Sequence, residues 1–144
     1  MYSVYAAKSR KCEVYSFEPS VFNLEILARN IYLNKLTSSV TIMPFAVNDM
    51  MGTGNLNMSS TDIGGALSSY DKTYGEDGEE MEVIFSYPVF AISMDEINSN
   101  LAISTPDYIK IDVDGIELLI LNGGIKVLNI VKGVLIELSE KWFE

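Results

Sequence analysis

The chain has 144 residues, 48% of them hydrophobic, with 20 acidic against 10 basic side chains, no histidine and one cysteine. A net charge of −10 argues against a duplex nucleic-acid partner, because phosphate contacts need clustered Lys and Arg. Without imidazole, Ser-His-Asp and Cys-His catalysis and histidine-built zinc sites are excluded, which leaves carboxylates, Lys, Tyr or Cys12 as general bases.

Tyr2 to Lys11 reads as a short helix closed by Lys8, Arg10 and Lys11, although its first residues also alternate loosely enough for a strand. Glu13 to Phe17 is a strand that runs straight into Glu18-Pro19-Ser20. Proline suits the first turn of a helix. Val21, Leu24, Leu27, Ala28, Ile31 and Tyr32 then form one apolar stripe that ends near Asn34. Val40 to Val47 is a second strand, and strand, helix, strand with short links indicates a right-handed parallel crossover. From Asn48 to Ser69 no period survives, and Met51-Gly-Thr-Gly54 and Ile63-Gly-Gly65 mark turns. Gly75 to Glu80 is an acidic, solvated tip. Met81 to Ile92 resumes strand character with Val83, Phe85, Tyr87 and Val89 on one side, and Pro88 makes it an edge or a broken strand. Ser93-Met-Asp-Glu96 is a capping box that opens a short helix. Tyr108 to Asp112 is β-branched and apolar, as in a strand buried inside a parallel sheet. A turn bearing Asp112, Asp114 and Glu117 follows, then a helix from near Gly115 softened by Gly123-Gly124, and Val134 to Leu138 is a last buried strand.

This order predicts one α/β domain over residues 1–144, a Rossmann-like, mostly parallel sheet with flanking helices. No apolar run approaches the roughly 18 residues of a membrane span, and the first residues lack the apolar centre of a secretory signal. No membrane partner is therefore expected, and the single cysteine fits a cytoplasmic, reducing setting.

In open α/β sheets, ligands bind beyond the carboxyl ends of the strands, which singles out Glu18 and the turn from Asp112 to Glu117. A carboxylate at Glu18 can accept hydrogen bonds from both hydroxyls of a ribose, and such charge-assisted bonds are about twice as strong as neutral ones. The alternative is a helix-start residue whose charge suits the helix dipole. Lys110 shares a strand face with Tyr108 and Asp112. Buried there, it needs a carboxylate partner, Asp112 or Glu137. The pair is then either an ion pair beneath the site, or Lys110 or Asp112 orients an accepting hydroxyl or serves as its base. Asp114 to Glu117 also fits an N-cap pattern, so Glu117 is a helix-start residue or a catalytic one. These carboxylates could hold a divalent cation, but nothing in their spacing requires it, and no metal is expected. Asp112-Val-Asp-Gly also looks like a haloacid-dehalogenase nucleophile motif or an EF-hand loop. Ile116 stands where the first needs a hydroxyl, and Gly115 is fourth where the second needs glycine sixth; both fail.

The residues Val14-Tyr-Ser-Phe-Glu-Pro-Ser20, Leu27, Asn30, Leu33 and Asn34, Ala46-Val-Asn-Asp49 with Gly52, the run from Ile109 to Gly124, and Ile136-Glu137 together resemble the FkbM-type S-adenosylmethionine-dependent methyltransferases. The likeness covers nearly the whole chain from Val14 onward, and its specificity lies in the order and spacing of the motifs. It implies a class I methyltransferase fold, S-adenosyl-L-methionine as cofactor, and O-methylation of a sugar or natural-product hydroxyl on a small-molecule or glycan acceptor. It also implies that Glu18, with Pro19 beside it, holds the cofactor ribose, that Asn48 and Asp49 lie near the adenine, and that the Asp112 turn faces the reactive end. Lys110, Asp112 and Glu117 are the residues expected to carry the chemistry.

One departure from the family pattern sets a second expectation. Members begin with a strand and a Gly-rich turn against the methionine part of the cofactor, where a side chain would block the backbone. Here Met1 to Lys11 corresponds to the helix after that turn, and the last antiparallel hairpin is also missing, so a partial domain is expected. Either the strands at Val14 and Ile109 pair directly, or Tyr2 to Ala6 or a second chain fills the place between them. The alternative function is a non-catalytic module that folds, or self-associates through the incomplete sheet, without binding cofactor.

Overall fold

The computed structural model describes residues 2–62, 68–74 and 80–137. The turn at Ile63 to Gly65, most of the acidic tip at residues 75–79, and Leu138 lie outside the described residues.

The first third of the chain folds much as its pattern predicts. Helix α1 (Tyr2–Arg10) ends on two basic residues, Lys8 and Arg10, which suit the negative end of the dipole. Strand β1 (Val14–Phe17) leads into helix α2 (Val21–Leu33). The N-cap of α2 is Ser20, whose hydroxyl accepts from the Asn23 N–H, and the helix closes at Asn34, with Lys35 in the left-handed region at φ 58°. Strand β2 (Val40–Met43) lies parallel to β1, Val14 opposite Val40. Ala7, Ile31, Leu36 and Val40 form a small core, with Val4, Val14, Leu27 and Ile42 packed around it. Each fully buried aliphatic side chain contributes about 1.5–3 kcal/mol.

The strand expected from Val40 to Val47 is interrupted at Pro44. Its second part, β3 (Ala46–Asn48), joins another sheet with β4 (Gly52–Met58), β5 (Ser68–Tyr70) and β6 (Phe85–Ser93), in the order β3-β6-β4-β5. β3 runs parallel to β6, while β4 is antiparallel to both β6 and β5. β6 is therefore internal where β3 flanks it. β3 reaches only Ala91 to Ser93, however, so Pro88 has a strand partner on one side alone, at Asn55. That arrangement tolerates the missing N–H.

Helix α3 (Met94–Asn100) starts in the predicted capping box, with Ser93 and Glu96 bonding reciprocally. Strand β7 (Tyr108–Ile111), the short helices α4 (Glu117–Asn122) and α5 (Ile125–Leu128), and β8 (Gly133–Ile136) complete the chain, with β8 parallel to β7. A second core joins Ala46, Tyr70, Ala91, Met94, Ile111, Ile116, Ile120 and Val127. Among the described residues no helix is long and apolar enough to cross a membrane.

The architecture is mixed α/β, with two corrections to the expected continuous parallel sheet. Among the described residues the strands form three sheets: β1-β2, the mixed four-stranded sheet, and β7-β8. β1 does not pair with β7, and Tyr2 to Ala6 is helical, so neither device fills the place between them. In consequence β7 and β8 are not buried on both faces; Tyr108 is 72% and Leu135 57% exposed.

Candidate functional site

The first turn of α1 ties the ends of β1 and β7 together. The Ser3 and Ser16 hydroxyls are 2.7 Å apart in a hydrogen bond, and the Lys110 Nζ lies 4.1 Å from the centre of the Tyr2 ring. Ser16 is two residues before Glu18, and Lys110 two before Asp112, so each contacted residue shares its strand face with the following acid. Both acidic tips thus follow strand ends that α1 touches with successive residues.

At the first tip Ser20, not Glu18, caps the helix. The half-buried Glu18 carboxylate instead accepts the Ser20 N–H at 2.8 Å. Burial pushes its pKa up, against the opposing pull of the Ser20 N–H and the Asn23 side chain. The Pro19 carbonyl accepts from the Tyr87 hydroxyl at 2.9 Å, and the Val21 N–H donates to the same hydroxyl at 2.9 Å. No periodicity singled Tyr87 out, since it falls on the strand face shared with Val83, Phe85 and Val89.

At the second tip Lys110 finds its partner in Asp112. The Lys110 hydrogen bond holds the Asp112 carboxyl below its ordinary range, a pull opposed by partial burial and assisted by a bond with Glu137. Both residues considered as partners of Lys110 thus belong to one network. The turn after β7 is made at Gly115, with φ 92°, a conformation that favours glycine. Asp114 does not cap α4, whose N-cap is Ile116 without a side-chain bond; its carboxylate accepts the Ser68 N–H of β5 at 3.2 Å. Glu117 is 1% exposed. One of its oxygens accepts the Gly115 N–H at 3.2 Å, and the other has no hydrogen-bond partner among the described residues. A buried carboxylate oxygen left bare is costly, and nothing in its sequence neighbourhood announced it.

Asn48 and Asp49 sit at the end of β3 against the α4–α5 junction. A Cβ on Gly123 would meet the Asn48 carbonyl and come within 2.8 Å of the Asp49 Cα. Asn48 is 9% exposed, and its Oδ1 has no hydrogen-bond partner among the described residues. A separate open groove of about 480 Å³ is lined by Val4, Tyr5, Lys8, Ser9, Asn30 and Asn34; none of the strand-tip acids borders it. Among the described residues no group of three or more acidic or cysteine side chains gathers as a metal site.

The residues fit part of the cofactor that the family likeness implies. A carboxylate offers about four lone-pair sites. The Ser20 N–H and Asn23 occupy two at Glu18, which leaves capacity for a vicinal diol. A Gly-rich cradle for an amino-acid moiety is not found in the sequence of residues 1–144.

What the geometry defines is a mixed α/β domain with acidic groups at its strand ends. The family model of the methyltransferase FkbM domain matches residues 1–144, and the chain belongs to that family. No curated protein and no solved structure matches it.

Proposed function

We propose that this domain is a Rossmann-like S-adenosylmethionine-dependent methyltransferase acting on an oxygen, a hydroxyl of a sugar or natural product. The observation that carries the reading is the half-buried Glu18 carboxylate at the end of a parallel strand, held by Ser20 and Asn23 with acceptor capacity to spare. Membership of the FkbM family supports the methyl donor. When bound, S-adenosylmethionine supplies an electrophilic methyl group. Glu18 holds the ribose hydroxyls, with Pro19 shaping the turn, and Asn48 and Asp49 belong to the adenine side. Asp112, kept ionised by Lys110, accepts the hydrogen bond of the acceptor hydroxyl and takes its proton at the carboxylate, while Lys110 orients that carboxylate. Glu117 anchors the turn through the Gly115 N–H and keeps a second oxygen for the site.

Calorimetric titration with S-adenosylhomocysteine tests this. Micromolar binding lost in Glu18→Ala is the expected result. Binding that is absent, or unaffected by that change, sinks it. The separate β1-β2 and β7-β8 pairs favour one other reading, a non-catalytic module that self-associates through its unpaired strand edges. Absent binding together with a dimer by light scattering would support that alternative.

A further inference from the structure

We infer that Tyr87 is a positioning residue for the nucleoside site, setting where the Glu18 carboxylate stands relative to the second core. The inference rests on the ribose reading of Glu18. The turn from Glu18 to Val21 is held by bonds of three origins. The Glu18 N–H donates to the Met43 carbonyl of β2 at 3.1 Å, which ties the turn to the neighbouring strand of the first core. The Ser20 N–H to Glu18 and the Asn23 N–H to Ser20 are internal to the turn and move with it. The Tyr87 hydroxyl is external: it donates to the Pro19 carbonyl and accepts the Val21 N–H, across 68 and 66 residues of chain. One phenol thus satisfies an orphan donor of the α2 N-terminus and the carbonyl beside Glu18.

Tyr87 stands on β6, the strand whose Ala91 belongs to the second core, whereas α2 packs in the first. The contact is braced by aromatic packing, Phe22 against Phe85 at 5.9 Å and Phe85 against Tyr87 at 5.5 Å. Removing the hydroxyl leaves that ring packing intact. It frees Pro19 and Val21, so the turn keeps its bond to Met43 and its internal bonds but loses its hydrogen bonds to β6. A ligand gripped by Glu18 and by groups of the second core then has to re-order the turn on binding.

The test is a double-mutant cycle of Tyr87→Phe and Glu18→Gln, read by calorimetry with S-adenosylhomocysteine. Tyr87→Phe alone should raise Kd about tenfold, the equivalent of one hydrogen-bonding group. In the Glu18→Gln background it should change Kd less than twofold, because a residue that acts through Glu18 has nothing left to position. A merely structural Tyr87 would weaken binding equally in both backgrounds, and that result overturns the inference while leaving the cofactor reading intact. An unchanged Kd for Tyr87→Phe does the same. If the unmodified domain binds no S-adenosylhomocysteine, or Glu18→Gln binds as well as the parent, both fall together. Should Tyr87→Phe not fold, hydrogen exchange on the unmodified domain decides: the Ser20 and Val21 amides should slow when S-adenosylhomocysteine is added, and unchanged exchange refutes the positioning role.

Discussion

At the scale of single residues, the two acidic tips are built with opposite electrostatics, and this makes them separable by pH. Glu18 has its pKa raised by burial, so between its unfolded and folded values the native state holds more proton than the unfolded one. Stability then falls as pH rises through that window. Glu18→Gln keeps an acceptor for the Ser20 N–H and removes the buried charge. Its Tm should exceed that of the parent at pH 7, with the gap closing toward pH 4 in a scanning-calorimetry series, even as ribose binding is weakened. Asp112 has the reverse sign: its pKa is depressed by Lys110, so its contribution is complete above the unfolded value and disappears as pH falls through the folded one. The Asp112 side chain is 50% exposed, and a pair so solvated is worth about 1 kcal/mol or less. Asp112→Asn should lower Tm slightly at pH 7 and flatten the acid limb of the Tm–pH curve. A steeper acid limb in that variant would contradict the assignment.

At the scale of elements, the junction of α3, α4 and α5 shows how two adjacent glycines can differ. Gly123 faces backbone, the Asn48 carbonyl and the Asp49 Cα, while Gly124 faces the flexible end of the Met94 side chain. Gly123→Ala must shift β3 and should cost about 1–3 kcal/mol in urea denaturation, as overpacking does. Gly124→Ala should cost less, because a methionine terminus can turn aside. Equal losses would mean that β3 yields as readily as Met94. The same junction shows what local pattern could and could not predict. The capping box at Ser93, helix α2 and the strand before Asp112 were legible because caps and 3.6-residue periods are written in neighbouring residues, although Val21, Ala28 and Tyr32 of the α2 stripe are exposed. β4 was not, since Gly52, Gly54, Asn55 and Asn57 have poor strand propensity and are held by pairing with β6, which lies far along the chain, as in Gly52 opposite Ala91. The site divides the same way. Glu18 and Asp112 could be named from their places at strand ends, whereas Tyr87 acts through a contact across the fold, and Asp114 reaches Ser68 at a separation of 46 residues. Pattern also failed for the exposure of β7 and β8, because it reports apolar character and not whether a neighbouring strand is there to cover it.

At the scale of the whole molecule, the fold has two cores. One gathers α1, β1, α2 and β2 around Ile31 and Val40; the other gathers β3 to α5 around Ala91 and Ile111. Among the described residues, contacts between them include the Tyr2 and Lys110 pair, the Tyr87 clamp, Phe22 against Phe85, and an aromatic seam. In that seam Phe17 meets Phe45 at 5.5 Å, and Phe45 meets Phe90 at 6.0 Å, both edge-on. Edge-to-face pairs contribute about 0.5–1.5 kcal/mol each beyond their buried area, so Phe45 sits where most of the seam's coupling passes. Small domains usually unfold in one step because their cores are continuous. Here the first core, with four buried residues against eight in the second among the described residues, should open at lower free energy, as a separate cooperative unit. Phe45→Ala removes both ring contacts and should destabilise the domain by about 2 kcal/mol. It should also widen the difference in exchange free energy between amides of β1 and β2 and those of β4 and β6. Native-state hydrogen exchange reads this directly, and the same free energy for both sets in the parent and the variant would show that the two cores fold as one. If they open separately, Glu18 on one core and Asp112 on the other keep a fixed relative placement only when the seam is closed, and Phe45→Ala should then weaken S-adenosylhomocysteine binding without touching either acid.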